Sequence, residues 1–203
     1  ASALAAALAD FAAHAPLAEL RAAAAADWEG AARDVAEVFE GVEVESFLRE
    51  VFGPRSINKP LAFFPNLLFP GQQTVMVDSP ECLFALAPPP RAWGASSPWR
   101  YNERRDQVLS ETCQAFASAL YAARPSARWP HPRAAELVGR AVSTAFLRDV
   151  MDDAASRSYL VIETKTGSFL QLPDVVLAVA HHLKTLRDGE PSDLDALLAE
   201  IQV

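Results

Sequence analysis

The residues most able to do chemistry stand together in one stretch, RDQVLSETCQAFASALYAAR, from Arg105 to Arg124. Leu109, Cys113, Phe116 and Leu120 recur at helical spacing, which predicts an amphipathic helix over 105–123. On such a helix Ser110 and Gln114 stack one turn apart, and Glu111 flanks both. A carboxylate held among polar side chains can serve as a general base toward a bound water. The plainer reading is the wet side of a half-buried helix, with Glu111 favoured by the positive end of the helix dipole. Glu136, in RAAELVGRAV, reads as the i,i+4 partner of Arg140, worth a few tenths of a kcal/mol.

The other candidates are weaker. His14 falls in an N-terminal helical stretch and His131 in the rigid loop WPHP. His181 and His182 are adjacent, so on a helix they point about 100° apart and cannot chelate as an i,i+4 pair. One is expected packed and the other solvated. GxSxG, P-loop and GxGxxG patterns are absent, and eight glycines are too few for a phosphate cradle built on glycine turns. Asp152 and Asp153 read as a solvated helix end, not a magnesium site. Asn66 is the last binding candidate. With the aromatics of FFPNLLFPGQQ (Phe63 to Gln73) it would line a cleft beside a sheet edge, and Trp93, Trp99 and Tyr101 would cover that cleft. A strand followed by a buried connection explains the same stretch without a ligand.

These residues need elements to position them. Leu4, Leu8 and Phe11 predict a helix that Pro16 breaks, and a second helix runs from Leu17 to Glu40 with Gly41 as its stop. A short helix over 45–51 ends at FGP. Apolar β-type runs at Leu61–Phe64, Thr74–Val77 and Cys82–Leu86 predict three strands, the last two joined as a hairpin by DSPE. A long Pro- and Trp-rich connection follows, then the helix over 105–123 and another over 133–155. SRSYLVIETKTGSFLQLPD reads as a strand or a loop covering the core. Helices over 173–186 and 192–201 close the chain, with Asp174 and Ser192 as N-caps and Asp195 completing a capping box. Helices, a small antiparallel sheet and helices again make the class α+β, one domain over 1–203, with a helical N-terminal section (1–53) and a sheet-plus-helix section (60–203).

Composition narrows the partners. The chain has 203 residues, 26 acidic side chains against 18 basic ones, and a net charge of −8. No basic stripe exists to neutralise phosphates, so nucleic-acid binding is rejected and anionic membranes are disfavoured. No apolar run reaches the ~18 residues of a membrane span. Two cysteines, Cys82 and Cys113, without a CxxC neighbour, suit a reducing compartment, and the expected location is cytoplasmic. The alanine-rich N-terminus lacks a positive n-region and reads as a helix, not a signal peptide.

With the elements in order, SETCQ over 110–114 can be set beside HExxH, in which two i,i+4 histidines bind zinc and the glutamate polarises a water. From Leu61 to about Ala155 the chain resembles the zincin-like metallopeptidases, specifically the gluzincin branch and related bacterial domains. A small sheet with a hairpin precedes the helix, SETCQAFASAL stands where the family has HExxH, and a second helix carries Glu136. The resemblance implies that Ser110 and Gln114 occupy the histidine positions, Glu111 the general-base position and Glu136 the third-ligand position. Serine and glutamine are poor zinc ligands. The resemblance therefore implies a zincin scaffold that has lost its metal and its peptidase activity, without a cofactor. The expected function is non-catalytic binding of a peptide, protein or small ligand beside Ser110, Glu111, Gln114, Glu136 and Asn66. One alternative is a metal-dependent hydrolase using Glu111 with Glu136 or His131. Another is a scaffold that self-associates through its alanine-lined N-terminal helices.

Overall fold

Helix-forming alanines spaced with apolar residues build the first part of the chain. A computed structural model describes residues 6, 10–11, 13–67, 74–90, 97–125, 129–167 and 169–201. Helices α1 (Leu17–Ala23) and α2 (Ala25–Val38) fall where one long helix was expected, divided at Ala24. Helix α2 buries only Ala31, Asp34 and Val38, and its alanine-rich start is largely exposed. Asp34 is paired with the Arg100 guanidinium, and Arg105 Nε donates to the Val38 carbonyl, so α2 is clipped to the segment that enters the central helices. Helix α3 (Val44–Phe52) ends at Gly53, whose φ of 93° is left-handed and suits glycine, and Pro54 then prevents continuation.

Three short strands follow, β1 (Leu61–Pro65), β2 (Val75–Asp78) and β3 (Leu83–Ala87), each within a residue of its predicted range. The DSPE hairpin forms: Ser79 ties the turn to Cys82, and β2 pairs antiparallel with β3. The sheet is nevertheless mixed, not purely antiparallel. Its order is β1-β3-β2, and β1 runs parallel to β3 with Leu61 opposite Leu83. The connection from β1 to β2 is too long to impose a hairpin, so β3 takes the centre and pairs with both neighbours. Leu83, Ala85 and Ala87 point from β3 into the core.

A 3₁₀ turn (Tyr101–Arg104) leads into α4 (Arg105–Ala122), and α5 (Ala134–Val150) packs along it. Helix α5 is central: from Leu137 to Leu147 every residue except Arg140 is buried. A helix apolar on nearly all sides must be covered on all sides, and α4, α6 and α7 supply that cover. At Gly139 α4 and α5 approach closely. A Cβ there would lie 2.8 Å from the Gln114 carbonyl and 2.0 Å from Ser118 Oγ.

The stretch expected as strand or loop is instead helix α6 (Asp153–Gly167). The helix predicted over 133–155 stops at Val150, and Asp152 Oδ1 accepts from the Ala155 amide to start the next one. Tyr, Val, Ile and Thr suggested a strand, but no strand edge receives this segment, and a capped helix satisfies its backbone internally. Helices α7 (Leu172–Arg187) and α8 (Leu194–Ala199) complete the fold. Asp193, not Ser192, caps α8, accepting from the Asp195 and Ala196 amides, while Asp174 lies in the first turn of α7 and not at its cap. Ser192 meets His182 instead. One cluster of buried apolar side chains runs from Ala31 to Leu198 across helices and sheet. No helix among the described residues is long and apolar enough to cross a membrane.

Candidate functional site

The polar residues of α4 do not all face the same way. Leu109, Cys113 and Phe116 are buried against the core, which leaves Glu111, Gln114 and Ser118 along the rim of a cleft of about 610 Å³. Helix α5 contributes Glu136 and Arg140, α6 contributes Glu163, and Met76 with the preceding Thr74 closes the side at the edge strand β2. Glu111 and Glu136, on different helices, thus line one cavity. Gln114 lines it too. Ser110 does not: it is buried, and its hydroxyl donates to the Gln107 carbonyl at 3.0 Å. Its own carbonyl accepts from Ser143 Oγ on α5 at 2.8 Å. Ser110 instead lines a second cavity of about 370 Å³, whose walls again include Glu111 and Glu163 together with Tyr159 and Ile162 of α6.

Charges in the cleft are arranged as a chain. Arg133 donates to both carboxylate oxygens of Glu136, and Arg140 donates to one of them at 3.1 Å. Arg140 also pairs with Glu163. Burial would raise the Glu136 pKa, but the bonds from Arg133 and Arg140 outweigh it and hold the carboxyl below its usual range. Gln107 Nε2 donates to Glu111 Oε1 at 2.7 Å. The Gln114 amide oxygen accepts from Tyr159 Oη at 2.8 Å, and burial pushes the Tyr159 hydroxyl well above its ordinary pKa. Arg133, just before α5, and Arg140 on α5 both stack their guanidinium groups on the buried Phe169 ring, at 3.9 Å and 4.5 Å. The cleft is therefore acidic but internally paired, with its side chains held by defined partners.

This donor set does not fit a zinc ion. The Ser110 hydroxyl is turned into its own helix, the Gln114 oxygen is taken by Tyr159, and Glu136 is held between two arginines. Among the described residues no group of three or more His, Cys, Asp and Glu side chains could hold a metal ion. His131 stacks on Trp129 at 5.0 Å and accepts from the Arg133 amide. His14 and His181 are exposed. His182 is buried, with Nε2 on the Val51 carbonyl and Nδ1 on Ser192 Oγ, so it joins α3, α7 and the start of α8.

The residues expected to line and cover a cleft from the loops sit elsewhere. Asn66 follows β1; its amide donates to the Ala87 carbonyl and meets Tyr101 Oη, and it is not part of the wall described above. Tyr101 is buried, with its hydroxyl donating to Ala87, so it locks the end of the sheet instead of covering a cavity. Trp99 is exposed, and Trp93 lies outside the described residues. Sequence reasoning missed three wall residues. Arg140 was legible only as a partner of Glu136. Tyr159 and Glu163 stood in a stretch with no assigned period, so no face could be given to them. No protein-family model, curated protein or solved structure matches the chain. The site is therefore read from its own geometry.

Proposed function

We propose that the chain is a non-catalytic, zincin-like cytoplasmic module that binds an extended peptide or protein segment in the cleft between β2 and helices α4, α5 and α6. The observation that carries this reading is the convergence of Glu111, Gln114 and Glu136 on one cavity that the edge strand β2 borders through Met76. An edge strand offers unpaired backbone groups to an added strand. Met76 supplies an apolar contact on that side, and the acidic wall opposite suits a ligand with a basic side chain. The scaffold part of the proposal rests on the order of elements: a sheet with a hairpin, then the SETCQ helix, then the helix with Glu136. Binding without catalysis fits a wall in which Glu111 is engaged by Gln107 and Glu136 by two arginines.

The test is amide chemical-shift mapping of the labelled chain against a pool of random-sequence, lysine-containing decapeptides. Saturating shifts at Met76, Val77, Glu111 and Gln114, lost in Glu111→Arg with the fold intact, are the expected result. No saturable shift at millimolar peptide, or shifts confined to other faces, would overturn the reading.

A further inference from the structure

The two cavities share a wall. Helix α6 forms one side of both, through Glu163 in the larger and through Tyr159, Ile162 and Glu163 in the smaller. Its hold on α4 and α5 is mostly polar. Ser156 Oγ donates to the Thr144 carbonyl at 2.9 Å, Tyr159 Oη to Gln114, and Glu163 pairs with Arg140. Among its described side chains only Ser156 is fully buried, whereas Val161 and Ile162 are 50% and 55% exposed. Tyr159 and Leu160 add partly buried apolar area packed against the core.

The helix is also weak in itself. Tyr159, Val161, Ile162, Thr164 and Thr166 fall within eight positions, and each costs up to ~0.7 kcal/mol of helix propensity relative to alanine. Both ends of α6 are fixed all the same. Met151 donates to the Leu147 carbonyl as α5 ends, in a conformation (φ −124°, ψ −92°) that breaks the helix there. Beyond the other end Phe169 is buried beneath Arg133 and Arg140. A marginal helix pinned at both ends and fastened between them by polar contacts is placed to open locally, ahead of the rest of the fold.

We propose that α6 is a lid: release of Tyr159 from Gln114 and of Glu163 from Arg140 lifts it from α4 and α5 and joins the two cavities into one groove. In the closed state the Tyr159–Gln114 bond and the Glu111 and Glu163 side chains partition that groove. Opening would free the Gln114 amide and Arg140 to meet a ligand and would uncover the stretch of α4 beneath α6. The chain carries its own reporter there. Cys113 is fully buried on α4, next in the chain to Gln114, which Tyr159 holds.

The test uses the full chain with Cys82→Ser, which leaves Cys113 as the single thiol, and follows its reaction with Ellman's reagent. It needs no ligand, so it stands or falls separately from peptide binding. The expected result is a slow reaction whose rate barely changes in low urea, because a local opening exposes little surface. Tyr159→Phe with Glu163→Gln should speed it at least tenfold more than the accompanying change in global stability accounts for. Val161→Ala, at an exposed site, strengthens the helix and should slow it about two- to threefold. A rate that climbs with urea as steeply as global unfolding, and that ignores all three changes, would overturn the lid. If the double variant does not fold, the Val161→Ala arm decides alone: slowing without a shift in melting midpoint supports the lid, and an unchanged rate removes it.

Discussion

Helices α5 and α6 follow one another in the chain, are 17 and 15 residues long, and line the same groove, yet they are held in opposite ways. Helix α5 is buried along ten of its residues and approaches α4 so closely at Gly139 that a methyl group has no room. Helix α6 is capped by Asp152, fastened by polar contacts and exposes Val161 and Ile162. Close packing fixes geometry, because displacing any group opens a void or a clash. Polar contacts, unlike a packed core, can be replaced by contacts with water when a helix lifts. The wall built from α4 and α5 is therefore the rigid reference of the site, and the wall built from α6 is its adjustable part.

The largest expected effect tests the rigid side. Phe146 is fully buried in α5 and packs on Phe47 at 5.1 Å, so Phe146→Ala should cost about 3–5 kcal/mol in urea denaturation. A loss below about 1 kcal/mol would mean that α5 is no more anchored than α6. Next comes the proposed zincin-like scaffold. Ser110→His with Gln114→His should bind zinc one-to-one, about a thousandfold tighter than either single change, and Glu136→Ala should abolish that binding in calorimetry. A folded double variant no better than the singles would reduce the resemblance to pattern alone. Gly139→Ala is a smaller probe of the same contact. The Gln114 carbonyl cannot retreat without moving α4, so a loss of about 1–3 kcal/mol is expected, with displaced amide signals at Gln114 and Ser118.

The smallest effect concerns the corner where α7 meets α3. Burial lowers the His182 pKa, the Val51 carbonyl and the nearby Asp193 and Asp195 oppose the shift, and Arg124 adds to it. A histidine depressed in the folded state contributes stability that is present above its unfolded pKa of about 6.5 and is lost as pH falls below that value. Wild-type stability should therefore decline as pH falls from about 6.5, by at most about 1.4 kcal/mol per unit from this group. His182→Gln should flatten that part of the profile, measured by denaturation at successive pH values. An unchanged slope would show that His182 does not set it.

Local pattern carried much of the architecture. The amphipathic spacing from Arg105 gave α4 nearly to the residue, the DSPE turn gave the β2–β3 hairpin, and Glu136 does meet Arg140 one turn away. These features depend on neighbours within a few positions, which is the range over which periodicity and turn chemistry act. The α6 helix was not legible because its β-branched residues favour a strand when no partner edge is considered. The parallel pairing of β1 was hidden for a related reason: pairing through a long connection is decided by which edge is available.

The sequence by itself determined the α+β class, the helical face that carries Glu111 and Gln114, and the excess of acidic over basic side chains. Only the tertiary structure decided which of those polar groups share a cavity. The packing of α4 against α5, close at Gly139, leaves Ser110 turned inward and Gln114 and Glu111 lining one cavity with Glu136. Arg140, Glu163 and Tyr159 entered the site through packing between helices distant along the chain. Such contacts depend on the sum of many buried areas and close approaches, and no short window of sequence contains that sum.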